Sequence, residues 1–181
     1  MSEDTKYNGW TNYETWRVNL EFFDGGNWNG RAEELAQELI DADEDVTDLT
    51  SKLSDEIKES LENYIDETSD RGLAQDYANA FISNVNYDEI GRHYADEVDI
   101  WVAGWNMPGY LPDNAPAMFV DWDQARDYLA AEMERVFDEL EEGAEDPGYA
   151  EAVEYLTHKL PGNAEYGQTV GAYHWFITKG V

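Results

Sequence analysis

Asp41, Asp43 and Asp45 stand at alternate positions, the spacing with which a calcium-coordinating loop opens. The rest of such a loop is missing. Val46 stands where the sharp turn requires glycine, and Lys52 where a bidentate glutamate would close the shell. The run reads instead as a solvated acidic linker. Glu89 and His93 are four residues apart and can share a helix face, but neither they nor His158 and His174 complete H-E-x-x-H or H-x-E. Glu89 and His93 read as a pair of side chains on the solvent side of a helix. The glycine-centred signatures of serine hydrolases, dinucleotide folds and phosphate loops do not occur. The chain has no cysteine, which removes disulfides, thiolate zinc sites and cysteine nucleophiles together. Among 41 carboxylates no single pair stands out as acid and base. No catalytic residue, metal or cofactor is expected, and the protein is expected not to be an enzyme.

The carboxylates matter as a surface. Asp plus Glu outnumber Lys plus Arg by 41 to 11, a net charge of −30. Such a field repels nucleic acid and anionic membranes and attracts basic surfaces. It has two explanations. The surface could imitate a polyanion such as DNA, or it could keep the protein soluble in a salt-loving cell, which the presence of only five lysines favours. The charge is concentrated: residues 31–70 hold 15 acids against three bases, and residues 121–146 hold 11 against two. Charge acquired for solubility should be spread over the surface, so concentration favours imitation.

Helices must display these acids. A helix is expected over Thr11–Phe23, with Thr11 and Glu14 at capping-box spacing and Trp16, Leu20 and Phe23 inward. A second, about 29–41, carries Ala32, Leu35, Ala36, Leu39 and Ile40 on one stripe and Glu34, Glu38 and Asp41 opposite. In a third, about 50–66, Leu53, Ile57, Leu61, Tyr64 and Ile65 face inward. A turn of 100° per residue then puts Asp55, Glu59, Glu62 and Asp66 in an outer row. Shorter helices follow over 73–83 (Leu73, Tyr77, Ala80, Phe81) and over 87–97, capped by Asn86. Strands are expected over 100–105, 117–120 and 169–178. A helix over 121–142, which Asp121 and Gln124 can cap, lies between the second and third, with Asp127, Glu134, Asp138 and Glu142 outward and Arg135 interrupting, and another over 149–160. The fold class is α+β: a mainly helical acidic region, 1–97, and an α+β region, 98–181, with a sheet of about three strands.

Carboxylates at i, i+3 and i+4 lie about 5–6 Å apart at Cβ, and B-DNA presents one charge per strand about every 3.4 Å of axis. Rows on neighbouring helices can therefore approximate phosphate spacing. The partner so implied is a basic DNA-binding protein or nuclease, with no direct binding of nucleic acid and no membrane. Trp10, Tyr13 and Trp16 form a second candidate, an aromatic docking segment. A base-stacking platform would need cations beside it, and only Lys6 and Arg17 are near. Trp101, Trp105 and Tyr110, around Pro108-Gly109, could likewise frame a small pocket, although core packing plus a turn is the better reading of them. Met1–Tyr7 is polar, without the apolar stretch of a secretory signal, and no apolar run approaches the roughly 20 residues that span a membrane. A cytoplasmic location is expected.

The segment from Asn8 to Trp16, Asn-Gly-Trp-Thr-Asn-Tyr-Glu-Thr-Trp, resembles the opening of small proteins of unknown function common on phages, archaeal viruses and plasmids. Pro108-Gly109-Tyr110-Leu111-Pro112-Asp113, followed by Asp121 to Leu129, is similar to another segment of such proteins. The resemblance implies a mobile-element origin and brings no catalytic residue. The acidity and the C-terminal strand-turn-helix also look like the antirestriction family of DNA mimics. That likeness implies a blocker of type I restriction enzymes and allows a homodimer. The expected function is thus DNA mimicry against a host defence protein. The alternative is a halophile-adapted adaptor or structural protein whose acidity serves solubility alone.

Overall fold

Asn12, rather than Thr11, caps the first helix in the computed structural model, which describes residues 6–26, 28–109, 115–139 and 148–180. The Asn12 side-chain oxygen accepts from the Thr15 amide at 2.8 Å, and its amide donates to the Asn84 carbonyl at 2.8 Å. The Thr11 amide instead donates to Glu89 at 2.9 Å. Both residue types cap well. The long-range bond to Asn84 is open to the amide, since a threonine hydroxyl offers one donor on a shorter stem. The helix itself, α1 (Tyr13–Val18), is short and runs into a π-helical turn over Asn19–Phe23. The Asp24 amide reaches back five residues to the Asn19 carbonyl at 2.8 Å. That wider turn shifts the phase of the side chains. Asn19 and Phe23 are buried and Leu20, expected inward, is exposed.

The chain divides into two compact units, Met1–Val98 and Asp99–Val181. In the first, α2 (Trp28–Asp41), α3 (Leu49–Thr68), α4 (Leu73–Ile82) and α5 (Tyr87–Ala95) follow α1. The expected stripes of α2 and α3 form the core: Ala32, Leu35, Ala36 and Leu39 with Leu53, Ile57, Leu61 and Ile65. Asn86 caps α5 as expected, accepting from the Glu89 amide. The tightest helix crossing is at Gly91 of α5, where an added Cβ would lie 2.7 Å from the Thr50 carbonyl oxygen. Two expectations fail here. Tyr64 is 51% exposed rather than inward, and Leu73 and Tyr77 of α4 are 70% and 68% exposed. Of α4 only Ile82 is fully buried, because this short helix touches the core through its C-terminal end.

The second unit contains α6 (Trp122–Asp138), α7 (Tyr149–His158) and four strands: β1 (Trp101–Asn106), β2 (Ala117–Phe119), β3 (Tyr166–Val170) and β4 (Tyr173–Lys179). The sheet is antiparallel in the order β2-β1-β4-β3. Four strands replace the expected three because the stretch 169–178 is a hairpin, not one strand. Val170 pairs with Tyr173, and of the two loop residues only Gly171 has positive φ, 62°. That matches a type II′ turn, which glycine adopts without strain. One sheet face, with Trp101, Ala103, Trp175 and Ile177, packs on Ala125, Leu129 and Met133 of α6 and Ala152 and Leu156 of α7. Asp121 caps α6 as expected. The expected extension of α6 to Glu142 lies outside the described residues. No helix among the described residues is long and apolar enough to cross a membrane.

Candidate partner-binding surface

Among the described residues, the α3 row is the most open of the three acidic rows. Asp55, Glu59, Glu62 and Asp66 are all exposed, on the side of α3 away from Leu53, Ile57, Leu61 and Ile65. The helix from Asp55 to Asp66 places four charges along about 17 Å, where one strand of B-DNA presents about five. Asp66 accepts from the Gln75 amide at 3.0 Å. Among the described residues, no hydrogen bond or ion pair reaches Asp55, Glu59 or Glu62. These three side chains meet solvent with their charge intact.

The α2 row is partly neutralised from within. Arg31 reaches Glu38 at 3.1 Å and Glu34 at 3.5 Å, and binds Glu56 of α3 through two bonds of 2.7 and 3.0 Å. Glu56, then Glu38, hold the guanidinium far above its ordinary pKa. One arginine thus ties two acidic helices together against their repulsion. Asp41 is exposed and accepts from Gln37 at 2.7 Å. Arg31→Gln should lower the thermal midpoint at low salt, by the equivalent of about 1 kcal/mol, since the pair is two-thirds buried and the carboxylates it separates then repel. The deficit should shrink in molar salt, where screening removes that repulsion. A deficit independent of salt would assign Arg31 a packing role instead.

The α6 row is more interrupted than its sequence implies. Arg126 binds Asp127 at 2.7 Å and Asp123 at 2.6 Å, with its guanidinium 5.3 Å from the centre of the Trp122 ring. Arg135 binds Glu132 and Glu139 and lies 5.8 Å from the Trp105 ring centre. Glu134 and Asp138 remain exposed and border a cleft of about 590 Å³ between α6 and α7, floored by Phe137 and Val153. Glu142 lies outside the described residues.

The aromatic candidates pack largely among themselves. Trp10 meets His93 edge-to-face at 5.4 Å, and Tyr13 and Trp16 cluster with Tyr7, Tyr13 also meeting Phe81 of α4. Tyr13 keeps an exposed face, whereas Trp10 and Trp16 are half-buried. Trp105 stacks on Trp175 at 5.1 Å. Tyr110 lies outside the described residues. His93 pairs with Glu97, while Glu89 serves the Thr11 amide, so the two do not act together. Asp45 caps a 3-10 turn through the Thr47 amide, which lowers its pKa, and Asp43 occupies the left-handed region at φ 56°. The Asp41–Asp45 run is therefore a helix connector. No group of three or more potential metal ligands gathers among the described residues.

Sequence reasoning missed one feature of the first unit, a cleft of about 530 Å³ beside the C-terminal half of the α3 row. Glu62, Asp66 and Lys58 line it from α3, Asn79, Ile82 and Ser83 from the end of α4, Val85 from the turn beyond and Tyr87 from the start of α5. Burial, with a smaller contribution from the Glu62 charge, pushes the Tyr87 phenol up to about 12. Its hydroxyl donates to the Ile82 carbonyl at 3.0 Å. The sequence carried a signal: α4 and its flanking turn, residues 71–86, hold one acid and one base inside an otherwise acidic region.

No curated protein and no solved structure matches this chain. A family model matches residues 3–146, most of its length and parts of both units. The chain therefore belongs to a family of unknown function, DUF7249.

Proposed function

We propose that this protein, of mobile-element origin, is an acidic DNA mimic that occupies the basic DNA-binding cleft of a host defence protein such as a restriction enzyme. It would act in the cytoplasm and without catalysis. The observation that carries the proposal is the open α3 row, where Asp55, Glu59 and Glu62 form no ion pair or hydrogen bond among the described residues. In the other two rows arginines tie up some of the acids: Arg31 holds Glu34 and Glu38, and Arg126 holds Asp127, while Glu134 and Asp138 stay exposed. A row of like charges left open lowers stability. Retaining it along about 17 Å of one helix fits a surface meant for a basic partner. The second reading, solubility in high salt, is favoured by the count of five lysines.

The test is competition. A type I restriction enzyme, or DNA-binding proteins captured from host lysate at low salt, is loaded on a labelled duplex and titrated with this protein. Displacement of the duplex is expected, weakening at least about tenfold between roughly 50 and 200 mM salt, because the interface is mostly ionic. Failure to displace any duplex, together with folding that requires molar salt, would establish the solubility reading in its place.

A further inference from the structure

The chain's own arginines show what its acidic surface holds best. Arg126 and Arg135 each combine two carboxylates with an indole face, Asp123, Asp127 and Trp122 for the first and Glu132, Glu139 and Trp105 for the second. A guanidinium suits such a place because it is planar, weakly hydrated and able to bond a carboxylate while lying against a ring. The cleft of about 530 Å³ beside the α3 row offers the same set: Glu62 and Asp66 at the rim, the Tyr87 ring, and an apolar floor of Ile82 and Val85. Ile82 and Val85 are buried, whereas Glu62 and Asp66 are exposed. A long side chain with an apolar stem and a cationic head fits that gradient from floor to rim. The one cation of the cleft is Lys58, for which no ion pair within 4.0 Å exists among the described residues.

We infer that this cleft is an anchor pocket for an arginine side chain of the basic partner, its guanidinium on Glu62 and Asp66 and its stem on Ile82, Val85 and Tyr87. The inference rests on the reading of the α3 row as the partner surface. It adds that affinity is centred on one desolvated position rather than spread evenly over the charge. Lys58, one turn before Glu62, competes weakly for the same carboxylate.

Tetra-arginine and tetra-lysine peptides, titrated calorimetrically, test it. They carry equal side-chain charge, and the part of any arginine preference that vanishes when the cleft is filled is the part that the pocket supplies. The expected result is tetra-arginine tighter by about tenfold at roughly 0.15 M salt, with parity in Ser83→Leu and in Asn79→Leu. Each of these fills the cleft without touching a carboxylate, and circular dichroism establishes that each is folded. Lys58→Gln should tighten tetra-arginine severalfold. Parity in the wild type, no binding of either peptide, or a preference that survives both filled variants overturns the pocket. Salt-sensitive binding of both peptides at parity, lost in Asp55→Lys with Glu59→Lys, overturns the pocket alone and leaves the row as partner surface.

Discussion

Glu59→Lys combined with Glu62→Lys is expected to weaken displacement of DNA from the partner by at least about 100-fold while leaving the helical circular dichroism unchanged. The two replacements shift the local charge by four at the middle of the α3 row, turning attraction for a basic cleft into repulsion, and like charges across an interface cost several kcal/mol. The fold should tolerate them. Both side chains are exposed and contribute no hydrogen bond or ion pair among the described residues. Their removal also relieves repulsion along the helix, so the thermal midpoint should hold or rise. Displacement that persists at wild-type strength would mean that the α3 row is not the interface. Asp127→Lys, in a row already neutralised by Arg126, is the natural comparison, and its effect should be much smaller.

Gly91→Ala is expected to be the most damaging small change to the first unit. The added methyl would meet Ser54, with the Thr50 carbonyl oxygen at 2.7 Å and the Ser54 amide nitrogen at 2.9 Å. Two of these neighbours are backbone atoms of α3, so no rotamer change relieves the contact and the helices must separate. Overpacking of this kind costs about 3 kcal/mol or somewhat more. Alanine returns only about 1 kcal/mol through its better helix propensity. The net loss of about 2 kcal/mol corresponds to roughly 10 °C in a unit of this size. A variant that melts at the wild-type midpoint would show that α3 and α5 do not cross at Gly91.

Charge and periodicity carried most of what could be read in advance. The stripes of α2 and α3, the caps Asn86 and Asp121 and the outward acids of the three rows among the described residues follow from a 100° turn per residue and from local side-chain bonding, which depend on near neighbours in the chain. The α+β class follows in the same way, from helical periodicity giving place to short aromatic runs after residue 98. Other features depend on groups far apart in sequence. Periodicity assumes a uniform helix, so it placed Leu20 inward, and the π-turn over Asn19–Phe23 turned it out. Periodicity also assigns a face without saying whether anything covers it, which is why Tyr64 was expected inside and is exposed, and why the apolar spacing of Leu73 and Tyr77 did not foretell their exposure. The hairpin at Gly171 read as part of one continuous strand because its β-rich flanks outweigh a single glycine.

By itself, then, the sequence determined the polyanionic character of this protein, the helices that display it and the absence of the usual catalytic signatures, because composition and local spacing suffice for each. Only the tertiary structure decided which acids remain open. Arg31 closes on Glu56, 25 residues away, and spends part of the α2 row, whereas no arginine reaches Asp55, Glu59 or Glu62 among the described residues. It also placed Tyr87, Ile82 and Val85 beside Glu62 and Asp66, joining the end of one helix to the row of another. Neutralisation and cleft formation depend on distances of a few ångströms between residues remote in sequence, and those distances are set only when the helices pack.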